Sequence, residues 1–411
     1  MSDTVRSELI YDWNAGPSSP PTRTIGIVDE TLRDGLQSPS VTQPPVADKL
    51  GLLALMAELG VDDVNIGVPG AGSRFAEECL ILAREIVDRR LPLACHCAAR
   101  TLPEDIAPIA EISQQAGIRV GVGMFIGSSP IRRYAEGWEL SLILRRTREA
   151  IDFAVKHDVP VMFVTEDTTR SDPETLRQLY LTAIEHGAER ICVCDTVGHA
   201  TPEGTARLVR FIRELVGPEI GIDWHGHNDR GLALVNAIAA LESGADRLHA
   251  TALGIGERTG NTSMELLLIN LQLLGYIQRD LTPLPLYCRM TAKVCNLPVP
   301  ANHPVVGQDA FRTASGVHAA AIYKAQLKGD VWLADRVYSA VPAALIGRYQ
   351  KIEIGPMSGI SNVRYQLAEY GLEASDEMIR RILEVAKQSD RVLTEVEVLR
   401  LLVGAKPRRR E

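Results

Sequence analysis

Two histidines two residues apart, His225 and His227 in the stretch HGHND, offer a pair of imidazoles followed at once by an amide and a carboxylate. On an extended strand the side chains at i and i+2 fall on one face, so both rings can address one ligand. A shared divalent ion is one reading, because imidazole is a common ligand for zinc. Two ordinary histidines at a strand end is the other. Further polar clusters follow apolar runs elsewhere: Arg33 and Asp34 in DETLRDG, His96, Glu166 with Asp167, Asp195 with Thr196, and Glu257, Arg258 and Asn261 in GIGERTGN. Asp34, His225, His227 and Asn261 brought together would form a mixed nitrogen and oxygen set. Such a set suits Zn²⁺, Mn²⁺ or Mg²⁺ with positions left open for water or substrate. The plain alternatives are a rim ion pair between Arg33 and Asp34, and Thr196 as a helix cap.

What must position these residues is legible as an alternation. Short apolar or β-branched runs predict strands at 24–30, 62–68, 92–98, 119–125, 160–166, 190–196, 221–227 and 247–253. Segments of helical spacing separate them. In 46–60 the spacing puts Leu50, Leu53, Ala54 and Ala57 on one face, with Gly60 suited to the C-terminal turn. In 230–246 it puts Leu232, Val235, Ile238 and Ala239 inward. Ser171 is placed as an N-cap with Pro173 in the first turn behind it, and Pro103 and Pro202 open other helices in the same way. Eight strand–helix units across roughly 250 residues predict an α/β fold, a (β/α)₈ TIM barrel. No GxGxxG follows the first strand, which disfavours an open dinucleotide-binding sheet. In such barrels the chemistry sits at the C-terminal ends of the strands, where every cluster named above falls.

The barrel is expected over 24–280, preceded by an N-terminal tail at 1–23. A proline-rich stretch, LTPLPLYC (281–288), reads as a linker to a C-terminal, mostly helical appendage spanning 281–411. That appendage holds two glycine turns, SGVH (315–318) and GPMSG (355–359), helices near 361–371 and 375–388, and a basic tail. A net charge of −8 argues against a nucleic-acid binder. No apolar run approaches the roughly 20 residues of a membrane span, and no secretory pattern opens the chain. Seven cysteines, with pairs Cys95/Cys97 and Cys192/Cys194, read as reduced buried thiols, and a cytoplasmic location is expected.

The ordered motifs DETLRDGLQSP, TEDTTRSD, CDTVGHATP, HGHNDRGLALVNAIAAL and GIGERTGNTSMELLL resemble the DRE-TIM metallolyase superfamily. Within it they are similar to the Claisen-condensing branch of 2-isopropylmalate, homocitrate and citramalate synthases. The resemblance covers about residues 24–275. It continues more weakly through FRTASGVHA (311–319) and 338–362, which look like the synthases' C-terminal subdomains. It implies a divalent-metal-dependent acyltransferase that condenses acetyl-CoA with a 2-oxo acid and hydrolyses the thioester to a 2-alkylmalate-type acid.

By that resemblance Asp34, His225 and His227 are metal ligands, with Asn261 completing or supporting the site. Arg33 is the catalytic arginine and also contacts substrate, Thr196 meets the oxo-acid carboxylate, and Glu166 is an active-site acid. His318 and Tyr338 reach the barrel mouth of a partner subunit, which implies a homodimer. Asn65 and His96 are assigned to the substrate side. The synthases usually carry glutamate where Asn65 stands before Gly-x-Pro, which puts the charge beside the oxo-acid pocket, and the substrate's side chain, in question. The short C-terminal region leaves no room for a separate leucine-binding domain, so no leucine inhibition by that route is expected. A carbon–carbon lyase of the same superfamily is the nearest rival. Against it, acyl-CoA lyases tend to carry a cysteine-bearing loop, and no cysteine lies between 195 and 287. A metal-dependent hydrolase is a remote rival, since its HxH usually sits at strand 1.

Overall fold

The structure is a computed structural model that describes residues 9–14 and 24–402. Most of the expected N-terminal tail, and the whole basic tail, lie outside the described residues. Eight parallel strands close into a barrel: β1 Gly26–Asp29, β2 Asp63–Asn65, β3 Ala94–Arg100, β4 Gly121–Gly127, β5 Val161–Glu166, β6 Arg190–Asp195, β7 Gly221–Gly226 and β8 Arg247–Ala250. Closure is made by β1, which pairs with β2 through Val28–Asp63 and with β8 through Val28–His249. All eight strands fall where the apolar runs predict them. Each is buried on both faces, which is why the runs are nearly continuous.

Parity along each strand decides what faces the interior. In β7 the polar Asp223 and His225 point one way while Ile222 and Trp224, wholly buried, point the other. The same alternation of polar inside and apolar outside recurs in β2 with Asp63 and Asn65, and in β8 with Arg247 and His249.

The connecting helices are α1 Val46–Glu58, α2 Ser73–Asp88, α3 Pro103–Ala116, α4 Pro130–Glu136, α5 Leu140–Lys156, α6 Pro173–Glu185, α7 Pro202–Val216, α8 Ala233–Glu242 and α9 Met264–Leu273. Proline opens α3, α4, α6 and α7, where its missing N–H costs no helical bond. Three details differ from the sequence reading. Asp172, not Ser171, caps α6 by accepting from the Thr175 N–H at 2.9 Å, while the Ser171 hydroxyl bonds the Asp167 carbonyl. The buried face of α8 is Ala233, Asn236, Ala237, Ala240 and Leu241, and Val235 is exposed. Small side chains let this helix approach closely, with the Asn236 amide donating to the Ala200 carbonyl. In α1 the buried residues are Lys49, Leu52, Leu53, Leu55 and Met56, so of the four expected only Leu53 is buried. That helix is apolar nearly all round, and periodicity alone does not choose a face.

The chain divides into two compact units, one of residues up to 38, 61–263 and 270–278, the other of 39–60, 264–269 and 279 onward. The first carries all eight strands. In the second, the expected linker is instead the start of α10, Leu284–Val294, with Leu284, Pro285, Tyr287 and Cys288 buried. Its prolines lie before or within the first turn, where a helix tolerates them. There follow α11 Gly316–Leu327, α12 Val331–Arg336, α13 Ile360–Glu369, α14 Asp376–Gln388 and α15 Glu395–Leu402. A parallel pair of two-residue strands, Arg312–Thr313 and Lys351–Ile352, was not anticipated. The SGVH turn is the first turn of α11, pinned where the Gly316 N–H donates to the Met357 carbonyl at 3.0 Å. A Cβ at Gly316 would lie 3.1 Å from the Gly359 nitrogen, so the two glycines let the segments touch. Ile354, Val363, Leu367, Ile379, Ile382 and Leu393 form one apolar core of this unit.

Candidate active site

At the C-terminal mouth of the barrel, β1 runs into a 3₁₀ turn that presents Arg33 and Asp34, and β7 ends on His225 with His227 just beyond. His225 Nε2 lies 3.6 Å and His227 Nε2 3.8 Å from Asp34 Oδ2, and the two Nε2 atoms are 3.3 Å apart. All three residues are at most 7% exposed. Asn261, on the β8 loop, is bridged to His227 through the backbone. It donates from Nδ2 to Asp34 Oδ1 at 2.8 Å and to the Ile255 carbonyl at 3.0 Å, which fixes its amide orientation. Its Oδ1 is then a buried acceptor without a hydrogen bond. The loop carrying it needs Gly256, at φ +150: a Cβ there would collide with Asn261 Nδ2 and stand 2.8 Å from Asp34 Oδ1.

Charge in the cluster is set by its surroundings. Burial opposes ionisation of Asp34, but the Arg33 guanidinium foremost, with the Asn261 N–H also donating to it, brings the carboxyl down to about 2. Burial pushes His225 down to about 3 despite the attraction of Asp34, and pushes His227 down as well. The set is therefore one carboxylate and two neutral imidazoles, the ionisation state a metal ion requires. Three donor atoms 3.3–3.8 Å apart also suit a common centre about 2.1–2.2 Å from each. The residues fit a divalent ion.

Arg33 donates from Nη1 to Asp34 Oδ2 at 2.8 Å and from Nε to Glu30 Oε2 at 2.9 Å. Its side chain is 18% exposed, so the pair is inside the mouth and not on the rim. Glu30 is itself buried, and it also receives Asn65 Nδ2 at 3.0 Å and stands 3.1 Å from His249 Nδ1. Below it the interior is filled by a ring of charges. His96 Nδ1 meets Asp63 at 2.8 Å, Arg247 binds Asp63 and Asp223 at 2.7 Å each, and Asp223 accepts from Arg190 and lies 3.0 Å from His249 Nε2. Burial lowers His96, but Asp63 outweighs it and the imidazole rises to about 9.

A cavity of about 330 Å³ opens over the cluster. Asn65, Thr196 and Glu166 line it, together with an apolar wall that includes Ala98, Gly123, Phe125, Met162 and Val164. Thr196 Oγ1 accepts the Asp167 N–H at 2.8 Å, and its carbonyl accepts from Arg258. The following helix is capped by Thr201 instead. Glu166 lines the cavity while its neighbour Asp167 turns away to bind Ser129 and Arg170. Burial raises the Glu166 carboxyl, with Arg132, 3.6 Å away, opposing.

Among the residues singled out from sequence, Arg33, Asp34, Asn65, Glu166, Thr196, His225 and His227 converge on one cavity, with Asn261 bound to Asp34 behind it. His96 does not line it and is tied to Asp63 beneath. His318 and Tyr338 belong to the second unit, where they stack on each other with centroids 3.9 Å apart. Glu30 and His249 went unassigned. Their signal was the parity of polar residues within apolar strands, as in Arg247-Leu248-His249-Ala250. All seven cysteines are free and buried, as expected.

A family model described as HMGL-like matches residues 24–287. A probable 2-isopropylmalate synthase of Methanopyrus kandleri is 32% identical over 368 residues, covering 88% of this chain and 70% of that protein. The homocitrate synthase AksA of Methanothermobacter thermautotrophicus is 32% identical over 375 residues, covering 89% of each chain. Among solved structures, an HMG-CoA lyase from Acenitobacter baumannii in complex with coenzyme A and 3-methylmalate matches with a TM-score of 0.58 at 21% identity, over 68% of this chain and 93% of its own. That last likeness is one of fold.

Proposed function

The chain belongs to the HMGL-like family of DRE-TIM barrels, and from that premise we propose that it condenses acetyl-CoA with a 2-oxo acid and releases CoA. The observation that carries this reading is the convergence of Asp34, His225, His227 and Arg33 beneath one cavity. Asp34, His225 and His227 would hold a divalent ion, Mg²⁺, Mn²⁺ or Zn²⁺, whose contribution is Lewis-acid polarisation of the ketone. Asn261 and Arg33 keep the Asp34 carboxylate in place for that role.

The remaining chemistry falls to the protein's own groups. Thr196 Oγ1 already accepts the Asp167 N–H, so its own hydroxyl proton is free to be donated to the oxo-acid carboxylate. Glu166, a carboxyl group that burial makes more basic, takes a proton from the acetyl methyl, directly or through His318 of a second copy. The resulting carbon nucleophile forms the new bond to the ketone carbon. The Arg33 guanidinium stabilises the alkoxide that develops on the ketone oxygen. Water then cleaves the thioester, giving a 2-alkylmalate-type acid and CoA thiol.

The substrate's side chain faces Ala98, Gly123, Phe125, Met162 and Val164 in this reading. Arg33 is the one guanidinium or ammonium among the described lining residues, and Glu30 and Asp34 already engage it. A second carboxylate, as in 2-oxoglutarate, would be left unpaired, so the wall favours an uncharged aliphatic side chain. The test is release of free CoA thiol from acetyl-CoA with pyruvate, 2-oxobutyrate, 2-oxoisovalerate and 2-oxoglutarate. Release with the aliphatic acids and little with 2-oxoglutarate is expected. Preference for 2-oxoglutarate would remove the side-chain assignment, and no release with any of them would remove the condensation.

A further inference from the structure

Glu30 is a buried carboxylate, 1% exposed, to which the scheme above gives no part. It nevertheless sits among several polar groups of the barrel mouth. Two Arg33 nitrogens reach Oε2 at 2.5 and 2.9 Å, and Asn65 Nδ2 reaches the same oxygen at 3.0 Å. On Oε1, His249 Nδ1 lies at 3.1 Å and His96 Nε2 at 3.7 Å. Donors from β2 and the turn after β1 thus converge on one carboxylate, with imidazoles of β3 and β8 beside its other oxygen. Without it, the fork of Arg33 would have only Asp34 to bind, and would draw on a carboxylate whose other duty is to face His225 and His227.

Resting on the condensation reading, we propose that Glu30 is the positioning residue for Arg33, and that Glu30 and Asn65 are an exchangeable carboxylate–amide pair supplying one negative charge at a fixed place. Glu30, the residue directly after β1, and Asn65, the last of the adjacent β2, are both buried and meet at 3.0 Å. Both ends of the Asn65 amide are engaged: its Oδ1 accepts the Gly67 N–H at 3.3 Å while its Nδ2 donates to Glu30. Either strand can carry the carboxylate provided the other carries the amide. The neutral residue on β2 therefore removes no charge from the pocket, because β1 supplies it. Two carboxylates here would repel at hydrogen-bond distance, and two amides would leave Arg33 unbalanced.

A double-mutant cycle tests this. Glu30→Gln keeps the shape and removes the charge, Asn65→Glu adds a second charge, and Glu30→Gln with Asn65→Glu exchanges them. Each is measured for kcat, for KM of the oxo acid, and for thermal unfolding. Glu30→Gln is expected to lower kcat by about 100-fold, the scale of losing an oriented transition-state donor, with KM changed by less than about threefold. Asn65→Glu is expected to lower both kcat and Tm. The exchange variant should recover kcat to within about tenfold of the parent and restore Tm, well beyond the sum of the single effects. Glu30→Gln that keeps kcat within about threefold would overturn the positioning role, whether or not the exchange variant folds. An exchange variant that folds but is as impaired as the two losses combined would overturn the pairing. If the parent itself releases no CoA, the condensation reading fails. The Tm cycle still decides the pairing in that case.

Discussion

Asp34 is fixed by two donors at 2.8 Å, Arg33 Nη1 on one oxygen and Asn261 Nδ2 on the other, with the two imidazoles beyond. Its environment depends on Gly256 having no side chain. Gly256→Ala should push Asn261 off Asp34 and weaken divalent-ion affinity by about 10- to 100-fold, the usual effect of losing a group that orients a ligand. Calorimetric titration with Mn²⁺ would measure it, and unchanged affinity would show that Asn261 does not matter to the site. Glu166 gives a prediction with a definite sign. Its carboxyl is raised in the folded chain by burial, so the folded state holds the proton more tightly than the unfolded chain does. Its contribution is then most favourable at low pH and is lost as pH rises through the folded pKa. Glu166→Gln should therefore be more thermostable than the parent at pH 7, with the gap closing as pH falls below the carboxylate range. A gap that widens on acidification would contradict the burial of this group. At this scale the sequence pointed to Arg33, Asp34, Asn65, Glu166, Thr196, His225 and His227, which the fold brings to one cavity, because each stands where an apolar strand run ends. It missed Glu30 and His249 because strand parity places them inside the barrel without naming their partners, which lie on other strands.

At the scale of elements, every barrel strand was legible and helix faces were not. A barrel strand buried on both sides reads as an apolar run whatever its neighbours, whereas α1 and α8 are so uniformly apolar that several faces are compatible with burial. The helix beginning at Leu284 was hidden by prolines that look like linker until their place at a first turn is known. Asp172 took the cap expected of Ser171 because the chain bends at Ser171 to bond the Asp167 carbonyl and Ser128. Asp172→Ala should cost about 1 kcal/mol of stability through loss of the Thr175 N–H bond. Ser171→Ala should leave the helix cap intact. Equal losses in a denaturant titration would argue that the cap does not matter. Widening one element can also redirect substrate choice. Ala98→Leu on β3 should fill the apolar wall and raise KM for 2-oxoisovalerate by about tenfold relative to pyruvate, the scale of one or two lost methylene contacts.

For the whole molecule, the barrel holds the candidate ligands and the second unit carries His318 and Tyr338, stacked and partly exposed. We propose that these two serve the barrel of a second copy. Mixing a His318→Ala chain with an Asp34→Ala chain should then restore part of the activity that each lacks alone, because one barrel in the mixed dimer is intact. A mixture as inactive as its components would end that proposal. The architecture was readable from eight repeats of one pattern. How the second unit is built was less so, because its two-residue strands and close glycine contacts carry almost no periodic signal.

The condensation itself is the central claim, and one measurement reaches it most directly. Acetyl-CoA labelled with ¹³C at both acetyl carbons is incubated with the protein, a divalent ion and 2-oxoisovalerate, and the acids formed are weighed by mass spectrometry before and after EDTA. The account predicts a 2-alkylmalate carrying both labels, formed together with free CoA and abolished by the chelator. Consumption of a supplied alkylmalate or acyl-CoA adduct with no labelled product in the forward direction would instead make this barrel a carbon–carbon lyase.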